Sequence, residues 1–157
     1  MKKILMVILI LALTAGLVCA KGIRGTAPEA VKMVDKAVEL IVGEGPEKAF
    51  KQISDPKGAF IDRDLYVFVV DMKGIIRAHS GDQSLIGKNM LDVRDMDGKA
   101  FIRDLIRQAR VKDSGWVDYK WPHPVTGEIT AQSRYYKKIG EFVVTCGIHY
   151  LQEPFET

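Results

Sequence analysis

The 157-residue chain carries 23 lysines and arginines against 20 aspartates and glutamates, a formal net charge of +3, and is 47% hydrophobic. That length suits one domain with a real core and is short for two. No block of basic residues gives the electrostatic footprint of a nucleic-acid binder, so that class of function is excluded.

Residues 1–20, MKKILMVILILALTAGLVCA, join two lysines, a long apolar run and a small residue, Ala20, placed before Lys21. This is the layout of a cleaved secretory signal, and it implies a periplasmic or secreted protein. An uncleaved membrane anchor over residues 4–18 is the alternative, because the run approaches bilayer-spanning length. Val18 before Cys19 is too bulky for a lipoprotein site. Cleavage leaves residues 21–157 as one domain, with 21 basic and 20 acidic groups, so the basic pI says little about partners. Cys146 then has no partner for an intrachain disulfide. Within Phe142-Val143-Val144-Thr145-Cys146 it reads as a buried, inert thiol.

The first element of the mature chain is a helix. Thr26-Ala27-Pro28-Glu29 provides a hydroxyl cap, an early proline and a glutamate three residues after the cap. Val31, Val34, Val38 and Ile41 follow at helical spacing. Gly43-Glu44-Gly45-Pro46 interrupts, and Glu47 to Ile53 reads as a second, shorter helix. Leu65 to Asp71 (LYVFVVD) is a β-branched and aromatic strand. Asp71-Met72-Lys73-Gly74 turns the chain, and Ile75 to His79 returns as the other arm of a hairpin. Ser80 to Gly98 is polar and shows little period. Asp97 is expected to cap a helix carrying Phe101, Leu105 and Ala109 on one face. Three strands close the chain, Gly115–Trp121, Ile129–Tyr136 and Phe142–Tyr150, joined at Thr126-Gly127 and Ile139-Gly140. Short turns require mostly antiparallel pairing. The expected class is α+β, a long N-terminal helix packed on a central antiparallel sheet of about five strands.

Familiar catalytic and metal signals fail on inspection. Gly81 to Asn89 has five residues between its glycines where a phosphate loop has four, and Asn89 replaces the magnesium-binding hydroxyl. In Asp95-Met96-Asp97-Gly98, aligning Gly98 with the calcium-loop glycine puts Val93 at the first ligand position and Asp104 where glutamate belongs. His79, His123 and His149 lack paired metal-ligand spacing, and no serine elbow, dinucleotide fingerprint or haem attachment site is present. The reading is a non-catalytic domain with no metal and no cofactor.

Strand parity suggests a binding face instead. Alternation puts Arg77 with His79, Tyr119 with Trp121, and Gln132 with Arg134 and Tyr136. A guanidinium, an imidazole, phenols and an indole set among apolar walls suit a small organic anion. Trp116, of opposite parity, is expected in the core. Pro122 and Pro124 stiffen the turn and leave His123 exposed.

FIDRDLYVFVVDMKGIIRAHS, LIGKNMLDVRDMDGKAFIRDLI, GWVDYKWPHPVTGE and SRYYKKIGEFVVTCGIHY, in that order, resemble a single Cache domain of the second type. The likeness spans roughly Thr26 to Tyr150. It implies a PAS-like fold and an extracytoplasmic sensor of small molecules, often short-chain carboxylates, serving chemoreceptors or histidine kinases. It also implies that Tyr119, Trp121 and Pro122, and the histidine matched by His79, lie near a ligand cavity. Ala131-Gln132 stand where similar domains often carry Pro-Lys, which removes one cationic anchor. Arg134 or Arg77 is then expected to hold a carboxylate, His79 and Tyr119 to hydrogen-bond it, and Trp121 to cover its carbon body. The expectation is a domain with no second span or signalling module of its own, and one partner consistent with the resemblance is the ectodomain of a membrane receptor or histidine kinase. The rival expectation is a structural or interaction protein whose pocket has closed.

Overall fold

The computed structural model describes residues 24–150. The export segment read in residues 1–20 lies outside them. Among the described residues no helix is long and apolar enough to cross a membrane.

Helix α1 (Ala27–Glu44) begins as the sequence implies, with the Glu29 carboxylate accepting both the N–H and the hydroxyl of Thr26 at 2.9 Å. Its buried face is Ala30, Val34, Ala37 and Ile41. Two alanines thus sit at the contact, with Val31 and Val38 on its flanks, and small side chains let the helix approach the sheet closely. Gly45, at φ 81°, ends α1 and opens α2 (Pro46–Ile53) without an intervening loop. Only glycine adopts that backbone freely, and Pro46 then takes the first helical position.

The sheet has six strands, one more than expected: β1 (Ile61–Asp62), β2 (Leu65–Asp71), β3 (Ile76–His79), β4 (Ser114–Pro122), β5 (Ile129–Ile139) and β6 (Phe142–Tyr150). The addition is β1, a two-residue strand too short to register as a period. The order is β1-β2-β6-β5-β4, with β3 also paired to β2, and every pairing is antiparallel. All seven residues of β2 are buried, which is why the strand reads as a continuous apolar run rather than an alternating one.

Each sheet face has its own core. Helix α1 covers Val67, Val69, Val144 and Cys146. Burial pushes the Cys146 thiol up to about 12, the inert group expected. The opposite face carries Tyr66, Phe68, Val70, Val117, Tyr119 and Tyr136 beneath α3 (Phe101–Ala109).

Asp97 does not cap α3. The helix starts at Phe101 with Ala100 at the cap position and no side-chain cap. Asp95 is the organising carboxylate instead, accepting the N–H groups of Asp97, Lys99 and Lys120 at 2.8–3.0 Å. With those donors taken by its neighbour, Asp97 turns outward and pairs with Lys120 at 3.0 Å. The Lys120 contact also ties the loop to the free edge of β4 and occupies one of that edge's backbone donors.

Val34→Ala is expected to cost roughly 2 kcal/mol, because it removes two buried methyl groups and leaves a partial cavity. Val42→Ala, on the same helix at a residue 71% exposed, is expected to change stability by less than about 0.5 kcal/mol. Urea denaturation of the two variants checks the contrast.

Candidate functional site

The face under α3 gathers most of the predicted site. Register aligns Tyr119 with Gln132 and Val117 with Arg134 across β4 and β5. It aligns Gln132 with His149, Arg134 with Gly147, and Tyr136 with Thr145 across β5 and β6. At the centre lies Arg134, only 1% exposed. Its Nε donates to the Tyr119 hydroxyl at 2.6 Å, one terminal nitrogen to Gln132 Oε1 at 3.3 Å, and the other to Thr145 Oγ1 at 3.3 Å. Its Cζ sits 4.6 Å from the ring centres of both Tyr66 and Phe68.

No carboxylate among the described residues forms an ion pair with this cation. Guanidinium keeps its charge in any protein setting, so burial cannot neutralise it. Cation–π contacts recover roughly 2 kcal/mol each when desolvated. Removing a charge from water costs several kcal/mol even after relaxation. A positive charge without a counter-ion remains.

The neighbours are held as neutral donors. His79 Nδ1 accepts the N–H groups of Gly81 and Asp82 at 3.1 and 2.8 Å, which leaves Nε2 to carry the proton. Its ring stacks on Tyr66 and Phe68. Burial, then the Arg134 charge, lowers its pKa from 6.5 to about 4. Burial pushes the Tyr119 phenol up, so that group stays protonated. Its oxygen already accepts from Arg134, and its own hydrogen is available to a further acceptor. The Tyr119 ring stacks on Phe101 at 4.1 Å.

Tyr66, Phe68, His79, Phe101, Tyr119 and Trp121 enclose a chamber of about 20 Å³. That is room for about one water. Arg134 stands directly behind it, touching three of the lining rings. A wider vestibule of about 410 Å³ shares Tyr66, His79, Leu85 and Trp121 with the chamber and extends past Pro122 and His123. A hollow of about 900 Å³ is a shallow groove along α1 that contains none of these groups.

The structure therefore unites His79, Tyr119, Trp121, Gln132 and Arg134. Arg77 stands apart, its side chain 45% exposed and 3.8 Å from Asp71. The register shifts between Val69 and Val70, which face Ala78 and Ile76, so Arg77 is the unpaired extra residue of a bulge. Tyr136 shares the face but lies among apolar side chains away from the chamber.

Trp116, expected in the core, is 37% exposed with its ring against that of Tyr135, because α1 lies over β5 and β6 and leaves β4 open. His123, expected at the surface, is buried at 7% exposure. Its Nδ1 accepts from Val125 and Thr126, its Nε2 lies 3.6 Å from Asp64, and its ring meets that of His149.

Sequence reasoning missed Tyr66, Phe68, Thr145, Gly147 and His149. Alternation along Thr145-Cys146-Gly147-Ile148-His149 carries the signal, since small and polar residues fill every second place of an apolar strand. At Gly147 a Cβ would lie 2.9 Å from the Gln132 carboxamide and 3.0 Å from Arg134. A side chain there would occupy their space, as glycine in a strand often indicates.

The family model for single Cache domain 2 matches residues 28–151. The chain belongs to the single Cache domain family. Members of this family are sensory, ligand-binding modules with a PAS-like fold. The methyl-accepting chemotaxis protein McpP of Pseudomonas putida is 31% identical over 74 residues, 47% of this chain and 14% of its own length. The sensor histidine kinase MctS of Rhizobium johnstonii is 34% identical over 95 residues, 59% of this chain and 20% of its own. This Cache chain thus spans a small part of either relative.

Among solved structures, a Cache chemosensory domain described for carboxylic acid recognition superposes with a TM-score of 0.69 at 18% identity, covering 78% of this chain and 91% of that one. A methyl-accepting chemotaxis protein from Vibrio parahaemolyticus gives 0.66 at 24% identity, with 78% and 86% coverage. These likenesses establish the fold.

Two predictions follow from the burial of these groups. His79 and His149 have folded pKa values near 4 and 3, below the ordinary 6.5. Between those values the unfolded chain binds more protons than the folded one. Their stabilising contribution is therefore complete above about pH 6.5 and is lost as pH falls toward 4 and 3, on the order of 3 kcal/mol for His79. Urea midpoints measured from pH 7 to pH 4 should fall, and a flat profile would refute two buried neutral imidazoles. Separately, Arg134→Met should leave the midpoint at pH 7 unchanged or raise it, because it removes an uncompensated charge. A loss above about 3 kcal/mol would mean that the fold itself compensates Arg134.

Proposed function

We propose that this Cache domain binds a small monocarboxylate outside the cytoplasm and reports its presence to a membrane receptor or kinase. The single observation behind this reading is the Arg134 guanidinium, buried to 1% exposure with no acidic partner among the described residues. A ligand carboxylate supplies the missing counter-charge. Tyr119 O–H and His79 Nε2–H face the same chamber and donate to its oxygens, and Trp121 and Phe101 cover the carbon end. Charge-assisted hydrogen bonds of this kind contribute about 1.5–3 kcal/mol each.

The ligand enters from the vestibule and enlarges the chamber by parting the Tyr119–Phe101 stack. The chemotaxis and kinase relatives support a sensing role, and the neighbour described for carboxylic acid recognition supports the ligand class. In this reading the ligand-bound domain signals by docking on the ectodomain of a membrane receptor or histidine kinase.

A chamber of about 20 Å³ favours one other reading, an interaction protein whose pocket is filled by its own rings. Calorimetry with acetate, propionate, pyruvate and their amides separates the two. For about six heavy atoms the ceiling of ~1.5 kcal/mol per atom gives about −9 kcal/mol, so affinities no tighter than roughly micromolar are expected. Acids should bind and the matched amides should not. Tyr119→Phe should weaken binding about tenfold, or ~1.4 kcal/mol, and Arg134→Met should abolish it. No heat from any acid would favour the filled pocket.

A further inference from the structure

The hydrogen bonds that hold Arg134 continue away from the chamber in a definite direction. A cation can be bonded only by an acceptor, so Gln132 must turn Oε1 toward Arg134, at 3.3 Å. Its Nε2 then points the other way and lies 2.7 Å from His149 Nε2. An amide nitrogen is a donor, so that ring nitrogen must accept. The imidazole proton is thereby placed on Nδ1, 2.8 Å from the Thr130 hydroxyl. Thr130 in turn donates to the Trp121 carbonyl at 3.5 Å. Gln132, His149 and Thr130 are all buried, so water cannot substitute for a lost partner.

We infer that His149 is a positioning residue for the carboxylate site: as the Nδ1–H tautomer it fixes the Gln132 amide and thereby aims the Arg134 guanidinium. The functional half of this inference rests on the reading of Arg134 as the ligand's anchor; the tautomer does not. Without an acceptor at His149, the Gln132 amide is free to rotate and present its NH₂ to the guanidinium, which costs Arg134 a restraint and places two donors face to face. Burial and the nearby Arg134 charge hold His149 neutral, with a pKa near 3.

The protein has three histidines, and the geometry assigns them different tautomers. His79 and His123 accept backbone N–H groups at Nδ1 and carry their protons on Nε2. His149 is the reverse. Long-range ¹H–¹⁵N NMR of the histidine rings at pH 7 should therefore show two Nε2–H rings and one Nδ1–H ring. The Nδ1–H signal should vanish in His149→Gln. A His149 ring found as Nε2–H, or as the cation, overturns the inference without any binding measurement.

Calorimetry with propionate supplies the second arm. His149→Phe, which has no acceptor, should bind at least tenfold more weakly than the unaltered protein. His149→Gln, whose Oε1 can still accept from Gln132, should recover most of that loss. Thr130→Val, which removes the Nδ1–H acceptor, provides an independent variant should His149→Phe fail to fold, and should also weaken binding. Unchanged affinity in His149→Phe overturns the inference alone, whereas no propionate binding by the unaltered protein overturns the carboxylate reading and the functional half with it.

Discussion

A guanidinium enclosed between two aromatic rings, away from water and from any described acid, sets the terms for the rest of this domain. Desolvation of Arg134 is unfavourable by several kcal/mol, and the fold offsets it only with neutral acceptors and ring faces. The same charge acts on its surroundings. It helps keep His79 and His149 unprotonated, and both rings are therefore fixed as neutral donor–acceptor groups whose orientation is set by hydrogen bonding. A site prepared in this way presents donors and positive potential to whatever enters, and an anion is what such a site lacks.

The sheet makes this arrangement possible by giving each face a separate task. Strands β2 and β6 send alternate residues to α1 and to α3, so Val67 and Cys146 belong to the supporting core while Phe68 and Thr145 belong to the site. The support is apolar and tightly packed. The functional face tolerates a bare glycine at position 147 because the Gln132 and Arg134 side chains lie across it. Asp95 anchors the loop before α3 to the β4 edge, so the N-terminal approach to that helix is tied to the sheet. A ligand that separates Tyr119 from Phe101 acts first on α3, not on α1.

Much of this was legible from local pattern. Periodicity located α1, β2 and the three C-terminal strands, and parity alone placed Tyr119 with Trp121 and Gln132 with Arg134. What the local pattern does not carry is competition for donors, irregular pairing and contacts with elements distant in the chain. Alternation groups Arg77 with His79 because it assumes unbroken pairing, and the bulge beside Val70 breaks it. Asp97 has the right chemistry for a cap, but Asp95 competes successfully for the nearby donors. His123 is buried through Asp64 and His149, neither of which its local proline context can reveal. Trp116 is exposed because α1 does not extend over β4. The site was read as one strand row short: β6 runs between β2 and β5, and only that topology brings Gly147 and His149 beneath Arg134.

The central claim, that Arg134 awaits an external carboxylate, is tested most directly by following its guanidinium ¹H–¹⁵N resonance during titration with acetate. The expected result is a saturable shift of the Arg134 Nε signal, accompanied by the His79 ring. An Arg134 resonance that stays in place up to about 10 mM acid, ten times the ~1 mM Kd that about −4.1 kcal/mol provides, would contradict it.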